Sequence, residues 1–350
     1  MRPLIASGIL TSLPDSKTVR PKSRAVHKGP AVPARQAGQS PRPETCVTEP
    51  QFDKTFEPAH GEAVPVAPDI LRVTAPNAGP LTFHGTNSYI VGRDTLAVID
   101  PGPEDESHWR TLEAAIAGRP VSHIFVTHTH RDHSPLTARL KDKTGATVVA
   151  EGPHRAARPL YTGEVNPLKE SADMDFVPDI AAGHGQVIAG DGWAIETLHT
   201  PGHTANHAAF ALTGGDSDLV FSGDHVMAWA TSIIAPPDGA MSDFMASLDM
   251  LLERDDRFYL PGHGGPVKEP RQFVRALKTH RRMRERAVFG RVEKGDRLIA
   301  DMVKVIYRDT DPRLHGAAAL SVLAHLEDLV GRGEVVTDGP PAIHGEYRPA

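Results

Sequence analysis

Cysteine is almost missing from this chain: Cys46 is the single one in 350 residues. One thiol excludes an intramolecular disulfide framework and suits a reducing compartment, so a cytoplasmic location is expected. Long hydrophobic runs are missing too. None approaches the roughly 20 residues of a membrane helix, which sets a membrane-spanning reading aside. Aromatic residues are sparse at 5%, yet this length suffices for two domains and a sizeable core. No secretory apolar segment and no internal repeat is visible.

Periodicity is absent from residues 1–58, which are rich in Pro, Ser, Ala and Arg and read as a disordered basic tail. Residues 1–43 carry eight Lys or Arg against Asp15 alone. Such charge is compatible with an organelle-targeting segment, but the prolines oppose an amphipathic transit helix, so a flexible extension is favoured. Cys46 falls in this tail and is expected to be inert. Basic residues are then scarce from 44 to 267, with 14 against 31 acidic, a net of −17. Residues 268–297 reverse the balance with 11 basic and 4 acidic, a net of +7. The long middle segment should repel a polyanion, whereas the basic strip from Lys278 to Arg286 could meet phosphates or simply be a solvated helix face.

What is abundant is histidine in one place. Thr127-His128-Thr129-His130-Arg131-Asp132-His133 packs four candidate metal ligands into six residues. Asp and His are costly to bury unless paired or metal-bound. The segment follows an apolar run, Val121 to Val126, that reads as a buried strand. In extended backbone, positions i and i+2 share a face, so His128 and His130 can point at one ion. Asp132 and His133 lie where the chain turns and can reach a second. Three further candidates follow strand-like runs in Gly-containing turns: His203 in Pro201-Gly202-His203, Asp224 in Ser222-Gly223-Asp224, and His263 in Pro261-Gly262-His263. Singly each reads as a turn residue; their company with the first cluster makes them ligand candidates. Imidazole and carboxylate donors without thiolate suit zinc, with iron and manganese compatible. Seven donors exceed the four of a structural zinc, so two ions sharing a carboxylate is the simplest count.

These motifs, in this order, resemble the metallo-β-lactamase superfamily over roughly residues 65–268. The resemblance implies that His128, His130 and His203 hold a first metal, that Asp132, His133 and His263 hold a second, and that Asp224 bridges them. True lactamases often carry Cys where this chain has Asp224, which points to the glyoxalase-II-like branch. It also implies an α/β fold, the αββα sandwich, with the metals at one edge. Predicted strands are Ile70–Val73, Ser88–Val91, Leu96–Ile99, Thr147–Ala150 and Ala208–Leu212. Helices are predicted over Glu104–Ala117 and over Pro135–Lys143, the latter capped by Ser134. A further helix should start near Pro270.

Beyond it, two amphipathic helices are predicted. One starts near Asp296 as N-cap, with Ile299, Met302, Val303 and Ile306 at helical spacing. The other runs from about Pro312 to Val330, with Gly331 as C-cap. A short hairpin arm is expected over 333–339. Helix, helix and hairpin resemble the small winged-helix domain of the lactamase-beta-like branch, whose members include endoribonucleases acting on single-stranded RNA. The expected division is therefore a tail at 1–58, a hydrolase domain at 59–268, a winged-helix-like domain at 269–340 and a tail at 341–350.

The chemistry this implies is hydrolysis by a hydroxide bridging two divalent ions. Asp132 is expected to serve as ligand and secondary base, and His207, four residues after His203, as the acid for the leaving group. His225 reads as a structural neighbour of Asp224, and Asn87 as a turn-closing or substrate-contacting residue. A metal-dependent phosphodiesterase, an endoribonuclease on single-stranded RNA, is the favoured function. The alternative is a glyoxalase-II-like thioesterase acting on a small thioester. A mononuclear iron dioxygenase and a non-catalytic RNA-binding protein complete the set. The oligomeric state is not readable.

Overall fold

The structure, a computed structural model, describes residues 49–213 and 218–350. Cys46 and the part of the expected tail before Glu49 lie outside the described residues. Residues 49–58, expected as tail, are packed onto the domain: Asp53 N–H donates to the Ala228 carbonyl, and Arg72 Nη2 donates to the Glu57 carbonyl at 2.8 Å.

A seven-stranded sheet runs in chain order through β1 (Ala63–Ala67), β2 (Ile70–Thr74), β3 (Asn87–Val91), β4 (Leu96–Ile99), β5 (Val121–Phe125), β6 (Thr147–Ala150) and β7 (Ile180–Ala181). The first four pair antiparallel. From β4 onward the pairing is parallel; α1 (Glu106–Ile116) and α2 (Leu136–Thr144) supply the crossovers from β4 to β5 and from β5 to β6, and a long loop connects β6 to β7. Asp105 caps α1 by accepting the N–H groups of Ser107 and His108. Ser134 does not cap α2 as expected; its hydroxyl donates to Asp173 instead.

The second sheet comprises β8 (Val187–Ala189), β9 (Ala194–His199), β10 (Ala208–Thr213), β11 (Leu219–Gly223) and β12 (Phe258–Pro261), in the order β12-β11-β10-β9-β8. Period-two alternation explains how the sheets stack. Tyr89, Val91, Phe125, Ala208, Phe210 and Phe221 face one another between the sheets, while Ile90 and Val98 turn outward onto Trp109 and Leu112 of α1. On the far face, Ala209, Ala211 and Val220 pack under α3 (Met241–Leu252) and α4 (Pro270–Glu293). Each fully buried large apolar side chain contributes roughly 1.5–3 kcal/mol. This is the αββα sandwich.

The C-terminal part holds α5 (Ile299–Ile306), α6 (His315–Gly331) and a ribbon of β13 (Val335–Thr337) with β14 (Tyr347–Pro349). Its core joins Val288 and Val292 of α4 to Met302, Val322, Leu326 and Tyr347. Several expectations are corrected here. Residues 341–350 are no tail, since Tyr347 is fully buried and β14 pairs with β13, so the ribbon is not a local 333–339 hairpin. Asp296 pairs with Arg291 rather than capping α5. Gly331 stays within α6, and the left-handed residue is Gly333, at φ 72°.

Candidate metal centre

All seven candidate ligands come from segments that leave the C-terminal ends of strands at one edge of the sandwich. His128, His130, Asp132 and His133 follow β5, His203 follows β9, Asp224 follows β11 and His263 follows β12. The glycines in these turns have local reasons. A Cβ on Gly262 would lie 2.5 Å from Asp224 Oδ1 and 2.6 Å from His133 Cε1, and one on Gly223, at φ 49°, would lie 2.6 Å from His207 Nε2. Only a bare backbone lets the ligand loops approach this closely.

Two groups form. His130 Nδ1 lies 3.0 Å from His128 Nε2 and 3.1 Å from His203 Nε2. Asp132 Oδ2 lies 3.2 Å from both His133 Nε2 and His263 Nε2. Asp224 sits between the groups, its Oδ1 3.6 Å from His133 Nε2 and its Oδ2 3.3 Å from His263, 3.7 Å from His203 and 4.0 Å from His128. Ligands about 2.0–2.1 Å from a tetrahedral ion are separated by roughly 3.3 Å, so most of these spacings suit donors converging on an ion.

The hydrogen bonds fix which atoms converge. Thr127 Oγ1 donates to Asp100, so it accepts from His128 Nδ1–H at 3.0 Å. His133 Nδ1–H donates to Asp100 Oδ2 at 2.9 Å, His203 Nδ1–H to the Ile233 carbonyl at 2.7 Å, and His263 Nδ1–H to the Gly85 carbonyl at 3.2 Å. Four imidazoles therefore anchor Nδ1 on protein acceptors and aim Nε2 inward, the orientation expected of ligating histidines. His130 reverses this, presenting Nδ1 and burying an unpartnered Nε2; His133 Nε2 and Asp224 Oδ1 also lack hydrogen-bond partners.

Electrostatics agree that the cluster calls for cations. Burial opposes charge on His133 and His263, yet Asp132 and Asp224 outweigh it, holding His133 well above its ordinary pKa and His263 up at about 9. Burial raises the two carboxylates, but the neighbouring histidines win and hold both well below the usual range. The other group is neutral: burial lowers His128 and His203 and pushes His130 down to about 3. The residues present thus fit two divalent ions, one on three neutral imidazoles and one on imidazole and carboxylate, with Asp224 reachable from both.

His207, expected as the acid for the leaving group, is hydrogen-bonded within the protein through both ring nitrogens. It is fully buried, its Nε2 accepts the Asp224 N–H at 3.2 Å and its Nδ1–H donates to Thr200 Oγ1 at 2.8 Å. Burial, first among its surroundings, holds it well below the ordinary histidine pKa. His207 also lines a cavity of ≈ 250 Å³ with Glu151, Arg155, His199, Pro201 and Asp243, and none of the seven candidate ligands lines it. Asn87 is likewise corrected. Buried, it does not close its own turn; its Nδ2 donates to the Pro261 and Gly264 carbonyls and so clamps the His263 loop. His225 is buried against Phe244, with both ring nitrogens unpartnered.

Sequence reasoning missed Asp100, which receives the Thr127 N–H and hydroxyl, both at 2.7 Å, as well as His133. Its signal was an acid ending an all-buried strand before Pro101-Gly102. Also missed were Thr86, whose hydroxyl donates to Asp132 at 2.9 Å, and an aromatic rim. There Phe83, at φ 57°, stacks on Trp229 with centroids 4.7 Å apart, and both rings border Gly264 beside His263.

The family described as "Metallo-beta-lactamase superfamily" matches residues 81–263, and "Beta-lactamase associated winged helix domain" matches 299–340. Beta-lactamase-like protein 2 homolog of Drosophila melanogaster is 28% identical over 76% of this chain and 89% of its own length. An atrochrysone carboxyl ACP thioesterase of Claviceps purpurea is 28% identical over 70% of this chain and 74% of its own. In fold, the chain is similar to a beta-lactamase domain protein from Burkholderia ambifaria, with TM-score 0.69 and 20% identity over 88% of this chain and 99% of that one. It is also similar to a metallo-beta-lactamase family protein from Thermus thermophilus, with TM-score 0.65 and 24% identity over 82% and 100% of the two chains.

Proposed function

The chain belongs to the metallo-β-lactamase superfamily and is a hydrolase with a C-terminal winged-helix domain, and on that premise we propose that it hydrolyses acyl thioesters at a two-metal centre. The observation that carries this reading is that Thr200 and Asp224 engage both ring nitrogens of His207, which takes away the expected proton donor. A thiolate, from a thiol of pKa about 8.5, departs without an acid, whereas an alkoxide leaving group needs a proton or a metal.

His128, His130 and His203 would hold one ion, Asp132, His133 and His263 the other, and Asp224 both. When bound, the pair supplies Lewis acidity, acidifying water near neutral pH and polarising the carbonyl oxygen. Asp100 and Thr127 hold His128 and His133 in one tautomer and orientation. Thr86 fixes Asp132, the most exposed of the seven side chains, whose carboxylate stands at the mouth of the cluster where it can accept a proton from attacking water. The Phe83–Trp229 rim offers an apolar wall for an acyl group. The thioesterase named among the relatives, similar over 70% of this chain, is in keeping with this assignment.

The favoured reading from sequence alone, RNA cleavage, leaned on the winged-helix module, which is present, and on the basic strip 268–297. Much of that strip is occupied: Arg281 is buried, Lys278 pairs with Asp249, Arg291 pairs with Asp296, and Arg284 donates to the Ile306 carbonyl. Arg271, Arg282 and Arg286 are exposed on one face of α4 and keep RNA as the second reading. Zinc-loaded protein should release thiol from an acyl-CoA panel, read with a thiol reagent, while His128→Ala should not. Cleavage of labelled single-stranded RNA, with no thiol release from protein holding two metals, would transfer the assignment to the second reading.

A further inference from the structure

Helix α4 reaches the ligand cluster through one buried side chain. Arg281 is 3% exposed, and its guanidinium lies 5.1 Å from the centroid of Phe244. Among the described residues no carboxylate pairs with it; its Nη2 donates to the Ser232 carbonyl and its Nε has no partner. Ser232 is itself buried, and its hydroxyl meets the carbonyl of Asp224 and, at 2.9 Å, that of His225. The next residue, Ile233, supplies the carbonyl that accepts His203 Nδ1–H at 2.7 Å. Segment 224–233 therefore starts at the carboxylate shared by both groups and ends at the acceptor that orients a ligand of the first. Arg281 grips it one residue from that end.

Burying a guanidinium without a counterion is unfavourable. Were filling the space its whole role, a methionine of similar length would do so without that cost. What a methionine cannot do is donate to a main-chain carbonyl. We infer that Arg281 is a positioning residue of the metal centre, acting through Ser232 and Ile233 to set the ring of His203 and the backbone of Asp224. The inference rests on the ligand roles proposed above for those two residues, but not on the identity of the substrate.

Its test needs no substrate. Full-length wild type, Arg281→Met and Arg281→Lys are titrated with Co²⁺ against a competing chelator, and the visible absorption of the bound ion is recorded. Wild type should take two equivalents. Arg281→Met should bind at least one of them about tenfold or more weakly, with an altered spectrum, and Arg281→Lys, which keeps a donor, should recover part of the loss. Wild-type affinity and spectrum in both variants would overturn the inference, whatever their melting temperatures. Should Arg281→Met fail to fold, Arg281→Gln, too short to reach the Ser232 carbonyl, decides by the same readouts, with weakened binding in support and unchanged binding and spectrum against. Wild-type protein that takes up no Co²⁺ would overturn the ligand assignment together with the inference, a result distinct from any failure on thioesters.

Discussion

Asp100 shows how much of the centre depends on a residue that is no candidate ligand. It gathers three donors and thereby fixes the rings of two ligand candidates. Asp100→Asn should leave the fold intact yet lower metal affinity by about 10–100-fold, checked by chelator competition. His108 gives the pH dependence. Its Nε2 lies 2.9 Å from Ser88 Oγ and 3.0 Å from the Pro101 carbonyl, and burial pushes its pKa down to about 4. Between about 6.5 and 4 the unfolded chain binds a proton that the native chain refuses, so this histidine's contribution falls as pH drops through that window. The slope approaches about 1.4 kcal/mol per pH unit for one proton. In urea titrations at pH 7 and 5, metal-saturated wild type should therefore lose more stability than His108→Gln. Equal losses would refute this. At this scale the sequence was legible wherever chemistry is dense, as in His128 to His133. It was opaque for Asp100 and Asn87, whose partners lie up to 177 residues away.

Among the elements, strands were the easiest to read, because short unbroken apolar runs, as in β10, mark strands buried on both faces. Helix ends were harder. Asp296 looks like a cap but serves Arg291, and Gly331 looks like a stop but is passed over for Gly333. The pairing of β13 with β14 was beyond local pattern, since nine residues separate the strands. Two glycines make opposite predictions. Gly290 lies within α4 with nothing within 4 Å of a Cβ, so Gly290→Ala should stabilise by about 0.5–1 kcal/mol, seen as a higher Tm. Gly262→Ala would press on Asp224 and His133 and should lower metal stoichiometry.

For the molecule as a whole, the buried cluster sets a cost that cations relieve. Carboxylates and imidazoles face one another in a largely buried cluster, so ions binding only the native state should raise its stability by mass action. Chelation should lower Tm in calorimetry, with readdition of zinc restoring it; an unchanged Tm would count against a structural contribution from the metals. The sandwich itself was legible from motif order and strand spacing. The expected border at 268 followed the end of the motif series, and motifs do not mark where packing changes hands.

That border falls at a 24-residue helix. Val274 and Leu277 near the start of α4 cover the outer face of the second sheet, while Val288 and Val292 near its end enter the C-terminal core. At 1.5 Å per residue it is a rod of about 36 Å common to both. Scissors placed after residue 268 would not free a catalytic domain; they would unroof it, exposing Ala209, Ala211 and Val220 and removing Arg281. The winged helix is thus less an appendage than the far end of a beam whose near end shelters the ligands.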